Sequence, residues 1–320
     1  MRSVTKTPSQ SHIRAVRQRR AKSREGAVLT DRLLNDLRIM QKIGEGGTAI
    51  VYAAEDKEKR KVAVKIALSR NYNDVLDNEK EKLGQIDHSA ILKTISSGTF
   101  YGKTYLVTEY LEGQSLSHEL RKPGLIPWKK AKKILLQLCD ALHEVHKRGM
   151  AHRDVTPGNI QLLPDGSIKL LDFGLARGFD KCFPKKEGTI EGSPKYLAPE
   201  AAAGLKHDQT ADIYSVGVIL YGFITGDLPL KGSSEGETLH LQITKDPAKP
   251  SEKAKQMDLS SGTDETVMKA LDKDPTKRYQ SILELKEAIM EISVDPKLSC
   301  CVSYASLEAH EKTLVQVACG

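Results

Sequence analysis

Five side chains point to chemistry of one kind. HRDVTPGN (152–159) contains Asp154 and Asn159, and thirteen residues after Asn159 stands DFGLAR (172–177), opening on Asp172. Carboxylate and amide oxygens are hard ligands that suit magnesium. A further carboxylate can orient a hydroxyl or accept its proton. Upstream, IGEGGTAIVY (43–52) is Gly-rich, and glycines let backbone amides approach phosphate oxygens, whose negative charge they favour. Lys65 follows in VAVK, with Glu79 beyond it. A phosphate cradle, a cation, metal ligands and a carboxylate for a hydroxyl are the parts that phosphoryl transfer requires. Alone, the Gly-rich stretch also fits a hairpin turn, the lysine a solvated strand charge, and either acidic motif a polar turn. Their order and spacing leave those readings little room.

Such groups need elements to hold them. From Leu33, LLNDLRIMQKIGEGGTAIVYAAE runs from an apolar segment into a strand, a glycine turn and a strand. KVAVKIAL (61–68) reads as a third strand and TYLVTEYL (104–111) as another. NEKEKLGQIDH (78–88) places Glu79, Leu83 and Ile86 on one helical face. After Gly113 the pattern turns helical. Ala131, Ile134, Leu135, Leu138, Ala141, Leu142 and Val145 form a stripe between Trp128 and Arg148, closed by Gly149. DIYSVGVILYGFITG (212–226) is apolar on most sides and should lie inside a domain. The expected architecture is α+β and bilobal, within residues 31–292. A small β-rich lobe (about 38–110) precedes a larger, mainly helical one (about 114–292), joined near 109–113.

The chain has 320 residues, 39% hydrophobic and 28% charged, ordinary for a soluble globular protein. No apolar run is long enough for a transmembrane helix, and the basic N-terminus lacks the apolar stretch of a secretory signal. The net charge of +7 has a local origin. Residues 1–30 carry eight Lys and Arg against the single Glu25, so the remainder sums to zero. That tail, with no sustained apolar periodicity, is expected to be disordered. Its RAVRQRRAKSR could bind nucleic acid or an acidic membrane, or act as a nuclear import signal, but solvating a disordered end is the expected role. The extension 293–320 carries no signal. Cys139, Cys182, Cys300, Cys301 and Cys319 are odd in number and lack metal-ligand spacing, which suits a reducing cytoplasm; Cys319 makes no prenylation box.

With GSPKYLAPE (192–200) added, the motifs resemble the eukaryotic-like serine/threonine protein kinases over residues 38–292. HRDVxPxNI and the short stretch from Lys65 to Glu79 are most similar to bacterial members. The resemblance implies ATP and Mg2+ (or Mn2+) as cofactors and proteins as substrates. It makes Asp154, Lys65, Glu79 and Asn159 the catalytic set, with Asn159 and Asp172 on the metal. Glu81 competes with Glu79, which is preferred for its inward face and its spacing of nine residues to His88. Ile43, Gly44, Glu45, Gly46, Gly47, Val51, Ala63 and Lys65 would line the ATP site. Thr108 would be the gatekeeper, Glu109, Tyr110 and Leu111 the hinge, and Gln161 the floor under adenine. Asp212 would brace the catalytic loop, and Arg278 would pair with Glu200. Thr189 would be an activating phosphorylation site, its phosphate held by Arg153 and Arg177, with the segment from Arg177 to Glu191 mobile before modification.

Several positions depart from the family pattern. Ala49 replaces the third glycine of the loop, a small-for-small change. Thr156 replaces a lysine that contacts the γ-phosphate in relatives, and Gln161 replaces an apolar residue. Ser115, Gly158 and Gly222, aligned to positions where arginine-directed kinases present carboxylates, are not acidic. The expected function is an ATP-dependent serine/threonine kinase that autophosphorylates at Thr189. A pseudokinase scaffold is the alternative, and a small-molecule kinase is disfavoured by the peptide-platform motif GSPKYLAPE.

Overall fold

The computed structural model describes residues 33–34, 36–122, 126–179, 189–254, 259, 262–293 and 315–316. The basic tail, most of the C-terminal extension and every cysteine except Cys139 lie outside them.

Alternating apolar residues in the first third of the chain build a six-stranded antiparallel sheet. Its strands are β1 (Leu33–Leu34), β2 (Leu37–Glu45), β3 (Ala49–Glu55), β4 (Lys61–Ala67), β5 (Thr94–Phe100) and β6 (Lys103–Glu109), ordered β1-β2-β3-β4-β6-β5. Register decides what each face carries. Val51 lies opposite Lys65, Lys65 opposite Leu106, and Ala63 opposite Thr108, so these five share one face. The other face presents Tyr52, Val64 and Val107, packed with Leu34 and Ile39 into a small separate core. Leu106 instead joins the main core of the helical half, so the face bearing Lys65 looks toward that half.

Helix α1 (Asn73–Leu83) packs beside the sheet and buries Leu76, Glu79 and Leu83. It corrects the helix expected over 78–88. The inward stripe extends toward the N-terminus through Leu76, and the helix ends at Gly84, leaving Ile86 buried just beyond it. Two adjacent apolar residues in NDVL, Val75 and Leu76, give too little periodicity to reveal that first turn.

The connection at 110–113 enters a region of α2 (Leu116–Arg121), α3 (Trp128–His146), α4 (Pro199–Ala202), α5 (Gln209–Thr225), α6 (Glu235–Thr244), α7 (Pro250–Lys253), α8 (Thr263–Ala270) and α9 (Ile282–Glu291). Gly113 sits at φ +122, where an added Cβ would lie 2.0 Å from the Leu162 carbonyl oxygen, so only glycine fits. The predicted stripe of α3 is buried throughout, and Gly149 takes positive φ just past its end. In α5 every residue from Thr210 to Ile224 is buried; Asp208 caps its start and left-handed Gly226 its end. Short strands β7 (Gln114–Ser115), β9 (Ile160–Leu162) and β10 (Ile168–Leu170) form one small sheet. β8 (Met150–Ala151) pairs with β11 (Arg177–Gly178), and β12 (Thr189–Ile190) with β13 (Val315–Gln316). Among the described residues no helix is long and apolar enough to cross a membrane.

Candidate active site

The central position of Lys65 on β4 delivers its ammonium to the cleft below the sheet. Its Nζ donates to Glu79 Oε2 at 2.6 Å and to Asp172 Oδ1 at 3.3 Å. Burial disfavours the lysine charge, but the Asp172 and Glu79 carboxylates outweigh it and hold the ammonium above its ordinary range. Glu79 is 1% exposed, whereas the Glu81 side chain is 61% exposed and accepts a bond from Lys82. Of the two glutamates, only Glu79 reaches Lys65.

Asp172 stands at φ 62, ψ 74, left-handed backbone that costs energy in any residue with a Cβ. His152 fixes the preceding peptide, donating from Nε2 to the Leu171 carbonyl at 2.9 Å and packing edge-on against Phe173. Its Nδ1 accepts the Asp154 amide at 3.3 Å, so one imidazole ties the two acidic segments together.

The loop carrying Asp154 hangs from α5. Asp212, fully buried, accepts the amides of His152 and Arg153, each at 2.8 Å, and a bond from His146 Nε2 at 2.8 Å. Burial alone would raise its pKa, yet the His146 contact and the amides hold it below the ordinary carboxylate value. Asn159 Nδ2 donates to the Asp154 carbonyl and to Oδ2, both at 2.8 Å. Ser193 Oγ donates to the other carboxylate oxygen at 3.1 Å. Thr156 is buried beside these groups and lines a narrow cleft with Asp154, Ser193 and Tyr196. Ser193, His146 and His152 escaped the sequence reading of roles. His152 stands in the quoted motif, but nothing in the spacing pairs Ser193 with Asp154.

Of the residues expected to bind nucleotide, Gly47 lines a cavity together with Asp154 and Asp172. Gly46 N–H closes the glycine turn onto the Ala49 carbonyl at 2.9 Å, with Gly47 beside it. Gly44 lies across the ladder from Val51; Ile43 is exposed, and Glu45 pairs with Lys42. Thr108 Oγ bonds to the Glu109 carbonyl at 3.3 Å, and Leu111 lies in the connection that follows. The Glu109 carboxylate accepts Lys169 Nζ at 2.6 Å and the Lys93 amide at 2.8 Å. Gln161 lies opposite Lys169 and alternates with buried Ile160 and Leu162, which turns it away from the core. A cavity of about 620 Å³ opens between Gly47, Thr48, α1, Asp154, Asp172 and Ser193.

Asp172 and Asn159 offer hard oxygens. Among the described residues no group of three or more His, Cys, Asp and Glu could hold a metal unaided. That donor set fits magnesium, which is commonly held by one or two protein ligands together with substrate phosphates.

Away from the cleft, Arg278 grips Glu200 through two bonds of 2.7 Å and also donates to the carbonyls of Asp272 and Thr210. Arg153, at φ 69, donates to the carbonyls of Gly178 and His207. Burial lowers its pKa, as does the Arg177 charge, while Asp212 opposes. Thr189 pairs through its backbone with Gln316. Of the segment from Arg177 to Glu191 expected to be mobile, residues 180–188 lie outside the described residues, while Arg177–Gly178 and Thr189–Ile190 are paired in short strands.

Comparison with known proteins agrees with this geometry. The protein kinase domain family matches residues 37–290. A probable serine/threonine-protein kinase of Clostridium perfringens is 31% identical over 271 residues, 83% of this chain and 39% of that protein. Serine/threonine-protein kinase PknB of Mycobacterium tuberculosis is 33% identical over 262 residues, 78% of this chain and 42% of that one. A probable PknB of Corynebacterium glutamicum is 31% identical over 285 residues, covering 85% and 43%. The chain thus spans about two fifths of the length of these relatives.

Proposed function

This chain belongs to the protein kinase domain family, and on that premise we propose that it transfers the γ-phosphate of ATP to serine or threonine hydroxyls of proteins. We take residues 31–292 as the catalytic domain, with the tail and the C-terminal extension outside it. The hydroxyl oxygen attacks the γ-phosphorus, the bond to the β-γ bridging oxygen breaks, ADP leaves, and the hydroxyl proton passes to Asp154. Asn159 and Ser193 fix the two oxygens of that carboxylate, so the acceptor meets a base already oriented. Lys65, kept protonated by Glu79 and Asp172, would move its charge from Asp172 to the α- and β-phosphates. Asp172 and the Asn159 amide oxygen would hold magnesium, which when bound neutralises charge building on the phosphates. The amides of the Gly44–Gly47 turn would cover the phosphates, and Val51, Ala63, Thr108, Glu109, Leu111 and Gln161 would enclose the base.

Thr189 would be the autophosphorylation site. Arg153 and Arg177, the charge of the second close enough to lower the pKa of the first, would receive its phosphate. Substrates are proteins, without strong arginine direction. The observation that carries the reading most is the Asp154 carboxylate held at both oxygens in a cavity shared with Asp172. Against it, the pseudokinase alternative draws on Thr156 alone. Purified chain given radiolabelled ATP should label itself and a generic basic substrate protein, and Asp154→Asn should abolish the label. Equal labelling by both would overturn the assignment.

A further inference from the structure

Asn78, on α1 immediately before Glu79, makes contacts that the reaction scheme leaves unused. Its Nδ2 lies 3.3 Å from the Phe173 carbonyl, 3.0 Å from that of Gly174 and 3.0 Å from that of Ala176. Three acceptors around one atom also fix the amide's orientation, because a side-chain oxygen in that place would meet three carbonyl oxygens. The helix comes close enough that a Cβ added at Gly174 would lie 2.7 Å from Val75 Cγ1.

The carbonyls that Asn78 holds follow directly on Asp172, whose left-handed backbone must be imposed by its surroundings. His152 fixes the carbonyl before it, at Leu171. Asn78 fixes the carbonyls after it. Asp172 is therefore strained into place between two clamps, one on the catalytic loop and one on α1.

We propose that Asn78 is a positioning residue that, through the carbonyls following Asp172, holds that carboxylate in its metal-binding orientation. The inference rests on the kinase reading above. Asn78→Asp keeps the shape, removes both donors and turns a carboxylate toward three carbonyls. Expected is a fall in kcat of about tenfold or more, the value of one hydrogen bond. The magnesium concentration for half-maximal rate should rise, with KM for peptide unchanged. Apart from activity, the thermal shift given by ADP with magnesium should shrink, while the shift given by ADP alone stays. Asn78→Leu should show the same pattern more weakly, and serves if the aspartate variant does not fold. Unaltered kcat and magnesium dependence in the folded variant would overturn the inference. So would a drop in thermal stability with no change in metal dependence, since that marks a packing role. If the unmodified chain transfers no phosphate at all, the kinase reading fails separately, and the magnesium-dependent shift still decides the role of Asn78.

Discussion

Two ion pairs, one in each half of the molecule, use similar charges to opposite ends. In the helical half, Arg278 and Glu200 are joined by a planar two-bond grip, and the Arg278 side chain is 0% exposed. Every remaining direction is filled, by the carbonyls of Asp272 and Thr210 and by the Tyr214 ring at 5.0 Å. In the cleft, Lys65 is a point charge on a flexible stem, divided between Glu79 and Asp172 and 17% exposed. A guanidinium fork suits a pair meant to stay closed; an ammonium can exchange one carboxylate for another anion. The difference separates an ion pair that holds the fold from one that can take part in a reaction.

Exchanging the two cations would break the comparison most sharply. Lys65→Arg keeps the charge but not its compact shape. We expect kcat to fall by about 10²–10³-fold, the usual loss of one transition-state donor, with the melting temperature little changed. Comparable turnover would show that Lys65 acts by charge alone.

Arg278→Lys should do the reverse. Losing the fork removes bonds from a buried carboxylate and costs about 2–3 kcal/mol in urea unfolding, with kcat per folded molecule nearly constant. Stability equal to the unmodified chain would mean that the grip adds nothing beyond charge.

A smaller effect tests whether the cleft is short of a cation. Thr156 is buried beside Asp154, and Thr156→Lys should raise turnover or tighten ATP binding a few-fold. Outright inactivation would show that the pocket is closed to a second cation.

The least effect concerns Lys273, near the sealed pair. Burial, with Arg278 adding to it, lowers its pKa from 10.5 to about 8. The unfolded chain then binds more protons between those values, so stability should rise with pH from about 8 toward 10.5, having carried the full penalty below 8. The rise, reduced by solvent screening, is read as a urea midpoint that climbs across that window. Lys273→Met should flatten it, and an unchanged slope would assign the rise to other groups.

How much of this could be read from the sequence depended on distance along the chain. Lys65, Glu79, Asp154, Asn159 and Asp172 carry motif spacing, and the structure brings them to one cleft. Choosing Glu79 over Glu81 rested on the inward face shared with Leu83 and Ile86 and on the spacing to His88, neither of which depends on where α1 ends. Buried α5 was legible because its apolar residues leave no polar side. Ser193 donating to Asp154, Lys169 to Glu109 and Asn78 to three carbonyls were not legible. Each joins segments far apart in sequence through one polar group, which leaves no period and no local composition to detect.

Asp212 carries a consequence in the currency of hydrogen exchange. The stretch from His152 to Asp154 is a loop by shape, yet the amides of His152 and Arg153 bond to a carboxylate carried on α5, a helix buried from Thr210 to Ile224. Exposing either N–H to solvent means drawing Asp212 away from the centre of the core. These two loop amides should therefore exchange on the same slow clock as the interior of α5, opening only with global unfolding. The sheet edge at β5 and the connection at 110–113 should exchange much sooner. In the order in which the molecule comes apart, the loop that carries the base belongs to the core.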